Sequence, residues 1–416
     1  MNVEEIVLEK AKNAKAASKT FGLTSDIQKI DILNSISEEL LKNIDYLISE
    51  NLKDIERAKK NGMSKSLLDR LILNEERIKS IAKSVRKVAD LKSEIGNISE
   101  MWKRPNGLMI GKMIVPLGVI AIIFESRPNV TVDATALCIK SGNAVILRGG
   151  SEAINSNSAL VNVIHKGIEK SGYSKDIVQF IDITDRKAVD ELMNLYDYID
   201  VLIPRGGPSL IRNSIENSKV PVIQTGAGNC HVYVDKDADI EKALKIVENA
   251  KTSRPSVCNA AEKLLIHKDI ANEFLPKINE IFKNKVELRG CQQTLKILPD
   301  LKPAKEEDWG SEYLDYIMAV KIVKDIDEAI NHINKYSTMH SEAIVTENYT
   351  TARQFLNEID SAAIYVNAST RFTDGEEFGF GAEMGISTQK LHVRGPIGIK
   401  ELTTTKYVIL GNGQVR

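Results

Sequence analysis

The sequence predicts an α/β protein: a helical N-terminal section, a doubly wound parallel sheet, and a second α/β unit later in the chain. Three observations carry the prediction. Apolar residues recur every three or four positions through about the first hundred residues. Short apolar runs then alternate with helical segments from 102 to 217, and a second such alternation starts near 230. Strands that alternate with helices lie parallel and are covered on both faces. Ligands of such sheets bind beyond the carboxyl ends of the strands.

In the helical section, Ser25 with Gln28 three residues on is a capping box. Ile30, Leu33, Ile36, Leu40, Ile44 and Leu47 then form one apolar stripe, Gly62 closes it, and Leu67, Leu71, Ile78, Ile81 and Val85 resume the period. Strands are expected over Met113–Phe124, Asn143–Leu147, Val178–Ile181 and Asp200–Ile203, with helices around 130–141, 152–171, 185–196 and 208–217. In the second unit strands are expected over Val232–Val234, Lys263–Ile266, Ile317–Val323 and Ala362–Val366, with helices around 239–252, 270–284 and 326–335. The tail from Leu391 carries Gly395, Pro396, Gly398, Gly411 and Gly413 and reads as a poor core element that pairs with another segment or subunit.

Composition narrows the function. The 416 residues carry a formal net charge of −1, so no basic excess is available to hold a nucleic acid backbone. Hydrophobic residues are 43% and charged residues 27%, the balance of a globular chain with a sizeable core. The longest apolar run, Ile114 to Phe124, is broken by Pro116 and Gly118 and falls short of the about 18 residues of a membrane span. The N-terminus lacks the apolar core of a signal peptide, and Cys138, Cys230, Cys258 and Cys291 form no CxxC pair. A cytoplasmic protein without disulfides or a metal site is therefore expected.

Several segments suggest chemistry. Cys258 follows Pro255 and precedes Asn-Ala-Ala-Glu, which reads as a helix start; the helix dipole and Arg254 would both favour the thiolate. A buried structural thiol is the other reading, and Cys138 looks like that case. Arg148-Gly-Gly-Ser-Glu152 and Pro204-Arg-Gly-Gly207 each close a strand and open a helix. Their small residues let N–H groups approach an anion, although ordinary glycine turns would look the same. Asn129, at a strand end, is an oxyanion donor or a helix N-cap. Gly379-Phe-Gly381-Ala-Glu-Met-Gly385 has the wrong spacing for a dinucleotide fingerprint and reads as a loop, and Thr225-Gly-Ala-Gly-Asn229 lacks the ending of a phosphate loop.

Taken with Phe124-Glu-Ser-Arg-Pro-Asn-Val130, Ile203-Pro-Arg-Gly-Gly207, Gln224-Thr-Gly-Ala-Gly228, Arg254-Pro-Ser-Val-Cys258-Asn and the run from Val323 to Ile344 with His332-Ile, Tyr336-Ser-Thr and His340-Ser-Glu342, the chain resembles the aldehyde dehydrogenase superfamily. Within it, the chain is similar to the γ-glutamyl phosphate reductase family over essentially its whole length. The resemblance implies an aldehyde dehydrogenase-like fold. It comprises a Rossmann-type NADP(H)-binding domain over 1–229 with an oligomerisation hairpin near 102–117, an α/β catalytic domain over 230–390, and a small β oligomerisation tail over 391–416.

It implies NADPH-dependent reduction of L-glutamyl 5-phosphate to L-glutamate 5-semialdehyde and phosphate, the second step of proline biosynthesis. Cys258 would be the nucleophile that carries a thioester, and Asn129 the oxyanion donor. Arg148, Ser151 and Glu152 would meet the adenine ribose, Gly206 and Gly207 the pyrophosphate, and Glu312 the nicotinamide ribose. Arg127 and Arg254 would receive the substrate's anionic groups, with Asn367, Ser369, Thr370 and Arg371 on a loop facing the pocket. A homo-oligomer is implied, with glutamate 5-kinase as the candidate protein partner. The guanidinium of Arg148 suits a 2′-phosphate, so NADPH is expected over NADH, against the opposing charge of Glu152. Gln224 stands where oxidising relatives carry a glutamate base, as suits a reductase whose thioester must escape hydrolysis. The alternative is another acylating or oxidising aldehyde dehydrogenase.

Overall fold

The opening stretch is helical, as the spacing predicts, but in five pieces: Val3–Phe21, Asp26–Lys42, Ile44–Lys60, Lys65–Leu71 and Glu75–Asp90; the stripe from Ile30 to Leu47 is broken at Asn43, and the period from Leu67 to Val85 is shared by the last two. The second starts at the expected capping box, with Ser25 and Gln28 exchanging side-chain and backbone hydrogen bonds. These and all later elements come from a computed structural model that describes residues 2–416.

The chain divides into two compact units. One runs to Thr225 and takes back Gly379–Gly385 and Ile397–Arg416; the other is Gly226–Phe378 with Ile386–Pro396. The division falls at 225/226 rather than 229/230, and the tail from 391 belongs to both units instead of standing apart.

In the first unit, β1 (Ile98–Lys103) and β2 (Met109–Pro116) form a hairpin. The expected single run Met113–Phe124 is two strands, because Gly118 turns the chain at φ +127 before β3 (Val119–Phe124). The helix Pro128–Lys140 leads to β4 (Ala144–Gly149), the helix Ile154–Lys170 to β5 (Val178–Phe180), and the helix Lys187–Asn194 to β6 (Val201–Arg205), which the helix Pro208–Asn217 follows. The four strands are parallel in the order β5-β4-β3-β6. β3 and β4 are buried at every position, as expected of strands covered on both faces. The chain leaves β3 toward β4 on one side and returns as β6 on the other. That reversal opens a crevice beyond the carboxyl ends of β3 and β6.

In the second unit, β7 (Cys230–Val234), β8 (Ala261–His267), β9 (Glu287–Gly290), β10 (Lys302–Pro303), β11 (Ile317–Val323), β12 (Ser341–Val345) and β13 (Ala363–Val366) form one parallel sheet in the order β10-β9-β11-β8-β7-β12-β13. Helices Ile240–Thr252, Ala271–Phe282, Ile326–Tyr336 and Tyr349–Glu358 connect the strands. Phe274, Leu275, Ile278 and Phe282 pack on one face, and Ile330, Ile333 and Phe355 lie in the core of the other. A short antiparallel pair, β14 (Ile386–Ser387) with β15 (Gly395–Pro396), completes the unit.

The last strand, β16 (Thr403–Leu410), lies antiparallel to β2 and makes β1-β2-β16 a three-stranded sheet of the first unit. The tail is not a poor core element throughout: Val393, Ile397 and Leu402 are buried, while β16 leaves Tyr407, Ile409 and Leu410 exposed.

Candidate active site

The crevice of the first unit is built by the turn after β3. Ser126 holds a positive φ of 38, which a serine adopts only when its surroundings impose it. They do so through Glu152, whose carboxylate accepts from the Ser126 N–H at 2.5 Å and from its hydroxyl at 2.6 Å. Arg127 is then the N-cap of the helix Pro128–Lys140. Asn129 is therefore not the cap that one reading allowed. Its side chain, in the first turn and exposed, donates from Nδ2 to Asp133 Oδ2 at 2.9 Å. Arg127, Asn129 and Asp133 line a cavity of about 130 Å³ together with Arg205 and Glu383. Gly385 must be glycine here: its φ is +140, and a Cβ would lie 2.5 Å from Arg205 Nη1.

Both glycine turns already hold a protein carboxylate. At the turn after β4, Asp54, fully buried, accepts from Ser156 N at 2.8 Å, Ser156 Oγ at 2.6 Å and Asn155 Nδ2 at 2.8 Å. The N-terminus of the helix Ile154–Lys170 is thus satisfied from within. Arg148 donates to the Thr184 carbonyl at 3.2 Å, a structural partner invisible in the sequence, and its Nε stays buried without a hydrogen-bond partner among the described residues. Ser151 is exposed, and Glu152 is engaged by Ser126. Arg57, which the sequence did not single out, reaches the Ser151 carbonyl at 2.8 Å and is 43% exposed, so it brings a second cation to the turn. At the turn after β6, the Gly207 N–H donates to the exposed Glu125 carboxylate at 2.9 Å. A Cβ on Gly206 would strike that carboxylate at 2.6 Å. An exposed carboxylate can be displaced by a stronger anion; the buried Asp54 cannot.

In the second unit Cys258 does not open a helix. It sits half-buried in a turn, and the residues after it enter β8. Central pairing with β7 and β11 overrides the helix propensity of Ala260, Ala261 and Glu262. Its thiolate is therefore not favoured by the dipole of a helix that it opens. Gly228 packs so closely on the Cys258 backbone that a Cβ would stand 2.8 Å from its Cα and overlap its carbonyl. The Gly228 N–H donates to Glu312 Oε1 at 2.7 Å, and Cys230 Sγ donates to the Cys258 carbonyl at 3.1 Å. Cys230, like Cys138, is a fully buried thiol whose pKa burial raises. Gly228, Cys258, Glu312 and His340 precede β7, β8, β11 and β12, which are neighbours. The site therefore gathers at the amino ends of this sheet, whereas the crevice of the first unit lies at carboxyl ends.

The Glu312 loop is pinned from beneath. Glu262 Oε1 accepts from the Leu314 N–H at 3.1 Å, Lys263 donates to the Ser311 carbonyl at 2.7 Å, and Lys251 pairs with Glu262 at 2.9 Å with both side chains fully buried. On the other flank of Cys258, Thr370 donates to the Asn259 carbonyl at 2.7 Å, and Arg371 binds Ser253 Oγ at 3.0 Å and also the Asn259 side chain. Arg371 and the exposed Arg254 form a cationic flank; burial, and then the like charge of Arg254, lower the pKa of Arg371. Ser369 caps the turn at Arg371, and Asn367 exchanges two hydrogen bonds with the Thr346 backbone. Ser369 and Thr370 are buried, so this loop buttresses the Cys258 turn more than it presents polar groups.

In the signature between Val323 and Ile344, Val323, Ala329, His332, Ile333, His340, Ser341 and Glu342 are core, while Tyr336, Ser337 and Thr338 are half-buried. Glu342 accepts from the His231 N–H at 2.7 Å and from its ring at 3.0 Å, and His340, Ser341 and Glu342 are fully buried. Burial pushes His332 down to about 2, so its ring is neutral. No cluster of metal-ligating side chains and no helix long and apolar enough to cross a membrane exists among the described residues.

Known proteins match this chain along its length. The model of the aldehyde dehydrogenase family covers residues 3–292 and 297–408. The γ-glutamyl phosphate reductase of Petrotoga mobilis is 77% identical over 416 residues, all of both chains, and that of Halothermothrix orenii 59% identical over 414 residues, 99% of each. The crystal structure of γ-glutamyl phosphate reductase from Thermotoga maritima superposes with a TM-score of 0.96 at 51% identity and 99% coverage of each chain. An acetylating aldehyde dehydrogenase from Geobacillus thermoglucosidasius, 17% identical, shares the fold with a TM-score of 0.72 over 100% of this chain and 98% of its own.

Proposed function

The chain belongs to the aldehyde dehydrogenase family, among its γ-glutamyl phosphate reductases, and on that premise we propose that it reduces L-glutamyl 5-phosphate to L-glutamate 5-semialdehyde with release of phosphate. It is an oxidoreductase, and the step belongs to proline biosynthesis. The observation that carries the reading is the Cys258 turn: a half-buried nucleophile held by a glycine on one side and flanked by Arg254 and Arg371 on the other. Such a flank suits a substrate that brings a carboxylate and a phosphate.

The residues assigned to a nicotinamide dinucleotide fit an anionic ligand. Arg148 Nε is buried without a hydrogen-bond partner among the described residues, and the Gly207 N–H already holds a carboxylate. Bound NADPH supplies the hydride that takes the acyl group to the aldehyde level. The chain's own part is the following. The Cys258 thiolate attacks the γ-acyl carbon, and Asn129 and the Cys258 N–H donate to the oxyanion. The C–O bond to phosphate breaks and leaves a thioester on Cys258. After reduction, the thiohemiacetal collapses, releasing the aldehyde and restoring the thiolate. Gln224 cannot serve as a general base, so no water is activated against the thioester. NADPH is preferred over NADH, with Arg148 and Arg57 as the cations for the 2′-phosphate. The protein is cytoplasmic and acts as a homo-oligomer through the exposed apolar residues of the β1-β2-β16 sheet, with glutamate 5-kinase as its candidate partner.

The test is NADP reduction with L-glutamate 5-semialdehyde in the presence and absence of phosphate. A strict requirement for phosphate supports the reading. Equal rates without phosphate, or a requirement for coenzyme A instead, would replace it with an oxidising or CoA-acylating dehydrogenase.

A further inference from the structure

We infer that Asp133 is a positioning residue: its ionised carboxylate holds the Asn129 amide in the orientation that can donate to the oxyanion. The inference rests on the oxyanion role proposed for Asn129.

Asn129 and Asp133 are four residues apart on the helix Pro128–Lys140, one turn along the same face. Nδ2 of Asn129 lies 2.9 Å from Oδ2 of Asp133, and both residues line the same cavity. An ionised carboxylate only accepts hydrogen bonds. It therefore selects one of the two amide orientations, with Nδ2 toward Asp133 and Oδ1 away. An Nδ2 group has two hydrogens. One is spent on Asp133 and fixes the side chain, and the other stays available as a donor in a fixed direction.

Protonation undoes the selection. A carboxylic acid donates as well as accepts, so Oδ1 of Asn129 becomes an equally good partner. The amide can then turn over, and the donor leaves its direction. The groups that set this equilibrium line the same cavity. Burial raises Asp133 to about 6, while the Asn129 hydrogen bond and the charge of Arg205 on β6 hold it down. Arg127 before the helix and Glu383 in the Gly379–Gly385 segment are the other charged residues lining the cavity. Arg205 is itself placed by the missing side chain of Gly385. The switch therefore falls just below neutral pH, with the ionised, selecting form in the majority at pH 7.

The experiment is the pH profile of kcat for wild type, Asp133→Asn, Asn129→Ala and the double variant, with thermal melts of each. Wild type should lose activity below about pH 6 in a limb set by Asp133, over and above the single protonation of the Cys258 thiol that every variant shares. In Asp133→Asn that acid limb should vanish. The plateau should fall by about tenfold, less than the about 10²–10³-fold loss of a whole oxyanion donor, and KM should barely change. Asn129→Ala should also lose the limb, although its Asp133 still titrates, and adding Asp133→Asn to it should cost nothing further. Asn129→Ala supplies the test by itself if Asp133→Asn does not fold. An acid limb as steep as that of wild type in Asp133→Asn or in Asn129→Ala, or a further loss in the double variant, would overturn the inference. An Asn129→Ala enzyme with wild-type kcat would overturn instead the oxyanion role beneath it.

Discussion

Gly228→Ala is the sharpest test of how the Cys258 turn is built. A methyl group at 228 would stand 2.8 Å from Cys258 Cα and overlap its carbonyl carbon and oxygen. These atoms are backbone, so no rotamer change can relieve the clash. Restoring an ordinary contact of about 3.5–4.0 Å means moving one of the two segments by roughly 1–2 Å. Gly228 is tied to Glu312 at 2.7 Å, and its neighbour Asn229 donates to the Trp309 and Tyr336 carbonyls at 2.8 Å each, so Cys258 is the segment that yields. A displacement near 1 Å at the reacting atom costs about a hundredfold. The expected result is kcat down by about a hundredfold or more, with NADP(H) binding retained. Steady-state kinetics should be paired with cofactor fluorescence titration and a thermal melt. Gly310→Ala is the control, since a Cβ there meets nothing within 4 Å. A folded Gly228→Ala enzyme with kcat within about threefold of wild type would show that the close approach of Gly228 does not place Cys258.

Cys258→Ala should leave less than about a thousandth of wild-type turnover while the cofactor still binds, because the step it removes is the covalent one; higher residual activity counts against a thioester. Arg148→Ala should lower the NADPH-to-NADH ratio of kcat/KM by about tenfold or more, the worth of a charge-assisted hydrogen bond to a phosphate; an unchanged ratio would hand the preference to Arg57 or to neither. Lys251→Met should destabilise the protein by about 3–5 kcal/mol, because it strands the fully buried Glu262 without its partner. Lys251→Met with Glu262→Leu should recover part of that loss but still raise the KM for cofactor. The Leu314 N–H then loses its acceptor, and the Glu312 loop loses one anchor while Lys263 still holds the Ser311 carbonyl. A single Lys251→Met variant that melts like wild type would contradict this.

The parts of the fold legible in the sequence are those set locally. Ser25 and Gln28 announce a helix start because both capping bonds lie within four residues. The alternation of strands and helices from 119 to 217 was legible because strands buried on both faces must be apolar throughout. Cys258 was misplaced because its neighbours carry helical propensity while their final state is set by β7 and β11, distant in sequence. The separate fates of β2 and β3 turn on Gly118, where a Cβ would collide with the Asp200 carboxylate, a neighbour no local pattern reveals. The same holds for Glu125 on Gly207, 82 residues away, and for Asp54 on Ser156, 102 away. Asp133 differs: its spacing of four from Asn129 was visible and its meaning was not, because nothing local says that the helix end opens on a cavity. β12 was not legible because Ser341 and Glu342 read as solvent-facing residues, whereas His231 and Ser337 satisfy Glu342 inside the protein.

Cys258 as carrier of the acyl group, with phosphate rather than water removing it in the reverse direction, can be tested directly. The direct measurement mixes the enzyme with L-glutamate 5-semialdehyde and excess NADP in phosphate-free buffer, follows NADPH on the stopped-flow timescale, and maps the quenched protein by mass spectrometry. The expected result is a burst of NADPH stoichiometric with the enzyme and then a stop, a glutamyl adduct on the Cys258 peptide, and resumed turnover on adding phosphate. Sustained NADPH formation without phosphate, or a burst with no adduct at Cys258, would contradict it.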